Sequence, residues 1–224
     1  MKIKNIFVIL LFMFAATSFC QKMSYFAGAA SYLNKIEGNA VHFKFNLGVA
    51  YKINKILNPE VEINYYLGIL DEFEKRNEQN IISSTLLRKY TGHGLAFIPK
   101  ICFDLSDEAH DGSFQILPRY SITKITATGT LLTINEVDQK RNTLENFSFT
   151  EIRHSLGIGI GFICYLSDKK NDQMAINIYY DGIDFANSIS NLKYAINKYS
   201  SGDRLGFGIN FYFSFLKKIK KIND

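Results

Sequence analysis

The stretch Val41–Ile53 reads VHFKFNLGVAYKI, and it decides the fold. Its odd-numbered residues are all apolar or aromatic, whereas its even-numbered residues are polar, charged or small. Successive side chains of a β-strand point to opposite faces of the sheet. The segment therefore predicts a strand with one apolar face and one polar face.

The same alternation recurs along the chain and predicts an all-β protein. Strong repeats lie in Val61–Ile69, Leu156–Phe162, Met174–Tyr180 and Leu205–Phe215, and weaker repeats lie in Met23–Leu33, Tyr90–Leu105 and Phe114–Ile125. With Val41–Ile53 these segments make eight candidate strands.

Short and long connections alternate between these strands. The short ones, rich in turn-forming residues, are Asn54–Asn58, Ser106–Gly112 and Ser167–Asp172, and the long polar ones are Asp71–Lys89, Ala127–Ser148 and Ala186–Gly202, with Asn34–Asn39 as a short exception. Short turns at one end and long loops at the other are typical of an up-and-down barrel in an outer membrane. A ten-stranded barrel, with further strands near Ile81–Leu87 and Leu131–Val137, is an alternative.

A soluble lipocalin-like barrel or a sandwich would show the same alternation. The charged residues therefore have to distinguish a soluble protein from a membrane protein. The polar faces carry Lys44, Lys52, Glu62, Lys100, Arg119 and Asp181. Charges of both signs do not suit the dry core of a soluble protein, but they can pair inside a narrow polar lumen. The sequence therefore favours a barrel whose apolar faces contact lipid.

Residues 1–20 have the layout of a secretory signal peptide. Lys2 and Lys4 precede the apolar run Ile6–Ala16, which is too short to span a bilayer as a helix, and Ser18 and Cys20 are small residues at the expected cleavage site. A lipoprotein with an acylated Cys20 is the alternative, but bulky Phe19 precedes that cysteine. We predict export, a barrel over residues 21–216 and a short basic periplasmic tail over residues 217–224.

The last strand adds a resemblance to a known family. Arg204–Phe211 reads RLGFGINF and resembles the C-terminal insertion signal of bacterial outer-membrane barrels, in which a polar residue and a glycine precede alternating apolar residues. Together with the signal peptide and the eight strands, the mature chain resembles the small outer-membrane β-barrels, the OmpA/OmpX-like barrels. That resemblance implies an eight-stranded antiparallel transmembrane β-barrel in the cell outer membrane; the family usually ends at the last strand, whereas this chain continues with Leu216–Asp224.

The candidate chemistry is sparse. His42, His93, His110 and His154 form no cluster with metal-ligand spacing, and His154 and Ser155 face opposite sides of a strand, so they cannot act together as base and nucleophile. Gly157–Gly161 (GIGIG) continues the strand alternation and is expected to line the lumen beside long side chains such as Arg119 or Tyr179 rather than to bind a nucleotide. Cys102 and Cys164 lie on opposite faces, which disfavours a disulfide.

The sequence therefore predicts no catalytic, cofactor or metal site, and the chain is not expected to be an enzyme. The net charge of +5 is too small and too dispersed to predict nucleic-acid binding. The expected partners are outer-membrane lipid, the barrel-assembly machinery during insertion and an unknown surface ligand, and the expected state is a monomer. A structural or surface-binding role of the long loops is the leading hypothesis. A transporter or channel for small solutes or hydrophobic compounds is the alternative, and a lipid-modifying enzyme or a soluble lipocalin-like binder is less favoured.

Overall fold

The computed structural model describes residues 23–34, 41–69, 73–80, 82–105, 112–135, 140–166, 172–193 and 204–214. The predicted signal peptide, the predicted basic tail and His110 lie outside these residues. No helix in the described ranges is long and apolar enough to cross a membrane.

Nine strands and one short helix make up the described part of the chain. The strands are β1 Met23–Asn34, β2 Val41–Tyr51, β3 Leu57–Ile69, β4 Phe73–Arg76, β5 Ile82–Asp104, β6 Gly112–Ile134, β7 Arg141–Tyr165, β8 Gln173–Tyr180 and β9 Arg204–Ser214, and the helix α1 is Phe185–Ser190. All strand pairings are antiparallel.

Eight of the strands close into a ring. β1 pairs with both β2 and β9, and the ring continues through β3, β5, β6, β7 and β8 back to β9. The strand β4 pairs only with β5 among the described residues and stands outside the ring as half of a hairpin. The eight-stranded antiparallel barrel predicted from the sequence is confirmed, and the ten-stranded alternative is wrong.

Two of the predicted long loops are corrected to strands. Asp71–Lys89 contains β4 and the first part of β5, and Ala127–Ser148 contains the end of β6 and the start of β7. The segments proposed as extra strands, Ile81–Leu87 and Leu131–Val137, hold the outer ends of β5 and β6. These extensions are rich in Thr, Ser and Asn, so they lack the apolar face on which the sequence prediction relied.

The third predicted loop, Ala186–Gly202, contains most of α1. Asp184 caps this helix, and its carboxylate accepts a hydrogen bond of 3.1 Å from the backbone N–H of Asn187. Phe185, Ile189 and Leu192 are buried, so the segment turns its apolar residues toward the barrel instead of extending into solvent.

Prolines interrupt the ladder between β5 and β6 without changing its register. Pairs are formed at Phe97↔Tyr120 and at Ile101↔Ile116, but not at the positions between them. Pro99 and Pro118 occupy that interval, and a proline has no backbone N–H to donate. The strands keep the same offset on both sides, so the barrel wall continues across the gap.

Candidate functional site

The two faces of the barrel wall differ sharply in chemistry. On β2, Phe43, Phe45 and Leu47 are 39%, 50% and 64% exposed, whereas Lys44 between them is completely buried. The same contrast holds on β9, where Phe207, Ile209 and Phe211 are exposed and Asn210 is buried. The outside of the ring is therefore apolar and its inside is polar.

Such an arrangement is the inverse of a soluble barrel, whose apolar residues would fill the interior. A contiguous apolar exterior around a closed ring of strands requires lipid as its solvent, and closing the ring satisfies the backbone hydrogen bonds that lipid cannot satisfy. The chain is an eight-stranded transmembrane β-barrel. The soluble lipocalin-like alternative is excluded by the charges on the inside of the wall.

Four charged side chains form a network at the centre of the barrel lumen. The Arg119 guanidinium lies 2.8 Å from Glu62 Oε1 and 3.0 Å from Asp181 Oδ1, while Lys44 Nζ lies 3.7 Å from Glu62 and 3.9 Å from Asp181. All four side chains are at most 4% exposed. Two positive and two negative charges balance, which is the condition under which burying them is tolerable.

Aromatic side chains complete the central network. The Lys44 ammonium lies 4.3 Å from the centre of the Tyr179 ring, and the Arg119 guanidinium lies 5.0 Å from the same ring. The Tyr32 hydroxyl donates a hydrogen bond to Asp181. Each charge therefore has both an ionic partner and a polarisable or hydrogen-bonding neighbour in a low-dielectric interior.

A separate ion pair lies nearer the end that carries the short turns. Lys100 pairs with Glu60, and the ammonium sits 4.2 Å from the centre of the Tyr212 ring. Beyond it opens a pocket of about 220 Å³ whose wall includes Cys102 and Ser113. This pocket belongs to the mouth of the barrel at the end where the first described residue and the last described residue lie.

The opposite mouth is closed by the segment that contains α1. The ring of Phe185 lies 4.6 Å from that of Tyr90, 5.0 Å from His42 and 5.3 Å from Tyr66. Ile183, Ile189 and Leu192 extend the same buried cluster. Between the pocket at one mouth and α1 at the other, the described interior is thus filled by ion pairs and aromatic rings, which does not favour a diffusive channel.

Above this closed mouth, β4 to β7 continue as a free-standing sheet. β3 ends at Ile69, which pairs with Lys89, so Ile82–Arg88 of β5 rise beyond the barrel wall by roughly 20 Å at ~3.3 Å per residue. β8 ends at Tyr180, which pairs with Ile158 of β7. The segment around α1 packs on the inner side of this sheet, where Ser188 donates a hydrogen bond to Glu151 and Lys193 pairs with Glu145.

The charges predicted from the sequence to face the lumen are confirmed, five of them inside the barrel and Lys52 at its mouth. Lys44, Glu62, Lys100, Arg119 and Asp181 are buried inside the barrel. Lys52 lies one residue beyond the end of β2 and is exposed, and it lines the pocket at the mouth of the lumen together with Lys100.

The remaining sequence candidates stay apart. His42 lies in the lumen, His93 is exposed on the outer face, and His154 faces outward while Ser155 is buried, so the predicted opposition of this pair is confirmed. Within the described residues no group of three or more His, Cys, Asp or Glu side chains is placed to hold a metal ion.

The glycines of the GIGIG stretch and the cysteines also lie where the alternation placed them. A Cβ added at Gly159 would lie 2.9 Å from the Tyr179 ring, so this glycine leaves room for that side chain as predicted. Cys102 is buried in the lumen, and Cys164 is half-buried; both are free thiols. What the sequence did not reveal is the partnership of each charge, since Glu62, Arg119 and Asp181 lie far apart in the chain.

Comparisons with known proteins return small outer-membrane barrels. No protein-family model and no curated protein matches the chain. Similar solved structures include the attachment invasion locus protein Ail of Yersinia pestis, in complex with the heparin analogue sucrose octasulfate, at 14% identity and a TM-score of 0.42, covering 86% of this chain and 98% of that one. Neisserial surface protein A is similar at 13% identity and a TM-score of 0.37, covering 86% of this chain and 96% of that one. The N-terminal barrel domain of Pseudomonas aeruginosa OprF is similar at 13% identity and a TM-score of 0.30, covering 85% of this chain and 97% of that one.

Proposed function

We propose that the barrel is a cell-surface binding protein that captures its ligand on the sheet extending above the membrane. One observation carries this proposal. Phe149–Leu156 of β7 pair with β6 on one side, and no described strand pairs with them on the other side, because β8 reaches only as far as Ile158. An unpaired strand edge at the outer rim of the barrel is a template to which an extended segment of another protein can add by backbone hydrogen bonds.

The side chains along this edge support a ligand-binding role. Thr150 and Ile152 are exposed on the outer face. Ile152 is 63% exposed, although it lies near the top of the apolar exterior of the barrel, here called the apolar belt. Residues that alternate along an edge strand provide the side-chain contacts that give strand addition its specificity. The ion pairs and aromatic rings that fill the middle of the described lumen direct function to this outer sheet.

Proline substitutions test this edge. Consecutive residues of a strand direct their amides to opposite sides, so one of Thr150→Pro and Glu151→Pro removes an amide from the free edge and the other removes one from the β6 ladder. Urea unfolding identifies the second variant, since a lost ladder bond and the clash around it destabilise the sheet. The first variant keeps the fold and should lose strand addition.

Phage-displayed random peptides, selected on the barrel in lipid vesicles, serve as the ligand probe. We expect selected peptides to slow amide hydrogen exchange in Phe149–Leu156 and to lose binding to the edge-blocked variant. Peptides that bind both forms equally, or that protect only other segments, would refute strand addition at β7.

We further propose the route by which the chain reaches this position. The amino-terminal layout of residues 1–20 supports export, and the RLGFGINF stretch of β9 supports insertion by the barrel-assembly machinery. The ring of eight strands closes on itself through β1 and β9, so the wall of the barrel needs no second copy to complete it, which supports a monomer. Cross-linking in intact membranes tests the monomer: a specific dimer band would contradict it.

A further inference from the structure

The outer face of the wall carries a band of tyrosines and histidines where the apolar belt ends. Tyr65 and His93 are cross-strand partners on β3 and β5, and their rings lie 5.0 Å apart. On β6 and β7, the Tyr120 hydroxyl lies 2.8 Å from His154 Nδ1. Amphipathic rings of this kind mark the headgroup level of a membrane, so the band locates the boundary between lipid tails and water on this side of the barrel.

A lysine stands at the centre of this band. Lys124 is the direct cross-strand partner of His93, and on its other side it pairs with Ile152, which places His154 two residues farther along β7 on the same face. Lys124, His93 and His154 are all exposed. Three nitrogen-bearing side chains from three adjacent strands therefore converge on one spot at the headgroup level.

A second lysine lies higher on the same face. Lys89 is exposed, four residues from His93 along β5, and it pairs with Thr128. Four residues of a strand span about 13 Å at ~3.3 Å per residue. The backbone positions of the two lysines are thus about 13 Å apart along the wall, a spacing that suits two anionic groups borne by a single larger headgroup.

Within the described strand segments around these lysines, no acidic residue lies beside them on the outer face. Among the outward-pointing residues of the described ranges Lys89–Leu95, Tyr120–Thr130 and Asn146–Leu156 there is no Asp or Glu. The acidic residues of β7 point inward, where Glu151 contacts Ser188 and Arg153 and Glu145 contacts Lys193, and Glu74 of β4 on the outer face pairs with Arg76. The positive charge of the outer face is therefore available to a partner.

Hydroxyl and amide groups fill the rows between and above the two lysines. Thr126 and Thr150 are joined through their hydroxyls at 3.2 Å, and the Thr130 hydroxyl donates to the Asn146 side-chain oxygen at 2.9 Å. These groups can exchange hydrogen bonds with the hydroxyls of a sugar. The chemistry of the face thus combines two spaced cations with a polar, uncharged surface.

We propose that this face binds the headgroup of a phosphorylated glycolipid of the outer leaflet. One phosphate sits against Lys124 between His93 and His154, a second is reached by Lys89, and the sugar lies over the threonines. Lysine ammonium groups are common phosphate binders, and basic residues at a membrane surface attract anionic headgroups. The proposal goes beyond strand addition at β7, because it uses the outer face of the sheet at membrane level instead of its edge.

The test uses the folded full-length barrel in nanodiscs and counts retained lipid by native mass spectrometry. The probe is lipid A with two phosphates, compared with its fully dephosphorylated form and with phosphatidylglycerol. We expect preferential retention of the phosphorylated lipid A, and Lys89→Gln with Lys124→Gln should weaken that retention by about tenfold or more. The matched control is Lys75→Gln, an exposed lysine of β4 on the same side of the membrane, which should retain lipid as the unaltered protein does.

Three results would overturn the proposal. The first is that the double variant retains phosphorylated lipid A as well as the unaltered protein does. The second is that the unaltered protein retains dephosphorylated lipid A as well as it retains the phosphorylated form. Equal retention of phosphatidylglycerol would show a general attraction to anionic lipid instead of recognition of this headgroup. Because both substituted lysines are exposed, the heat-dependent shift in gel mobility should show a folded barrel in every variant. A negative result for lipid retention would not affect the proposal of peptide addition at β7.

Discussion

Replacing Arg119 by methionine should strongly destabilise the barrel. Arg119 contacts both Glu62 and Asp181, and Arg119→Met removes one of the two positive charges that balance them. The remaining Lys44 lies 3.7 Å and 3.9 Å from the two carboxylates and cannot neutralise both. Breaking a buried ion pair by removing one partner costs about 3–5 kcal/mol, so the free energy of unfolding should fall by that amount.

A compensating variant separates charge balance from packing. Adding Glu62→Gln to Arg119→Met leaves Lys44 with Asp181, one positive charge with one negative charge. We expect this double variant to recover about half or more of the lost stability, since the penalty arises mainly from an uncompensated buried charge. The matched control is Arg76→Met: Arg76 pairs with Glu74 at 3.0 Å but is 48% exposed, so it should cost about 0–1 kcal/mol.

The assay is urea unfolding of the barrel in lipid vesicles, followed by far-ultraviolet circular dichroism because the chain has no tryptophan to serve as a fluorescent probe. A cost below about 1 kcal/mol for Arg119→Met, equal to that of the exposed control, would refute the buried network. A double variant less stable than Arg119→Met alone would refute the account based on charge balance.

Three further predictions address the lipid face, the lumen and the topology. Phe211→Arg should lower the stability in vesicles by about 2–4 kcal/mol, because it places a cation on the lipid face, while Phe211→Leu should cost far less; equal effects would contradict the face assignment. Gly159→Val should cost about 1–3 kcal/mol by overpacking against Tyr179, and a neutral result would show that the lumen has spare room there. Trypsin added to intact cells should cut after Arg76 in the outer hairpin but after Lys55 only once the outer membrane is permeabilised. The reverse order would show that the barrel has the opposite orientation in the membrane.

Much of the barrel could be predicted from alternation alone, and particular residues show why. In β2 and β9 every second residue is large and apolar, so the strands, their two faces and the lipid-facing side all follow from the pattern and from the lysines and acids opposite it. The extensions of β5, β6 and β7 were predicted as loops, with strands near Ile81–Leu87 and Leu131–Val137 only as an alternative, because polar residues interrupt their apolar alternation. A strand that carries Thr and Ser on both of its faces has no hydrophobic period to detect.

The sequence by itself determined the strand faces, because the direction of a side chain depends only on its parity within a strand. The pairing of the charges was decided by the tertiary structure alone. Arg119, Glu62 and Asp181 meet because the ring closes through β1–β9 and β3–β5, and the register of those pairings sets which side chains share a level. The lid formed by Phe185 is likewise a tertiary outcome, since six helical residues gain stability only by burying their apolar side chains in the mouth of the barrel.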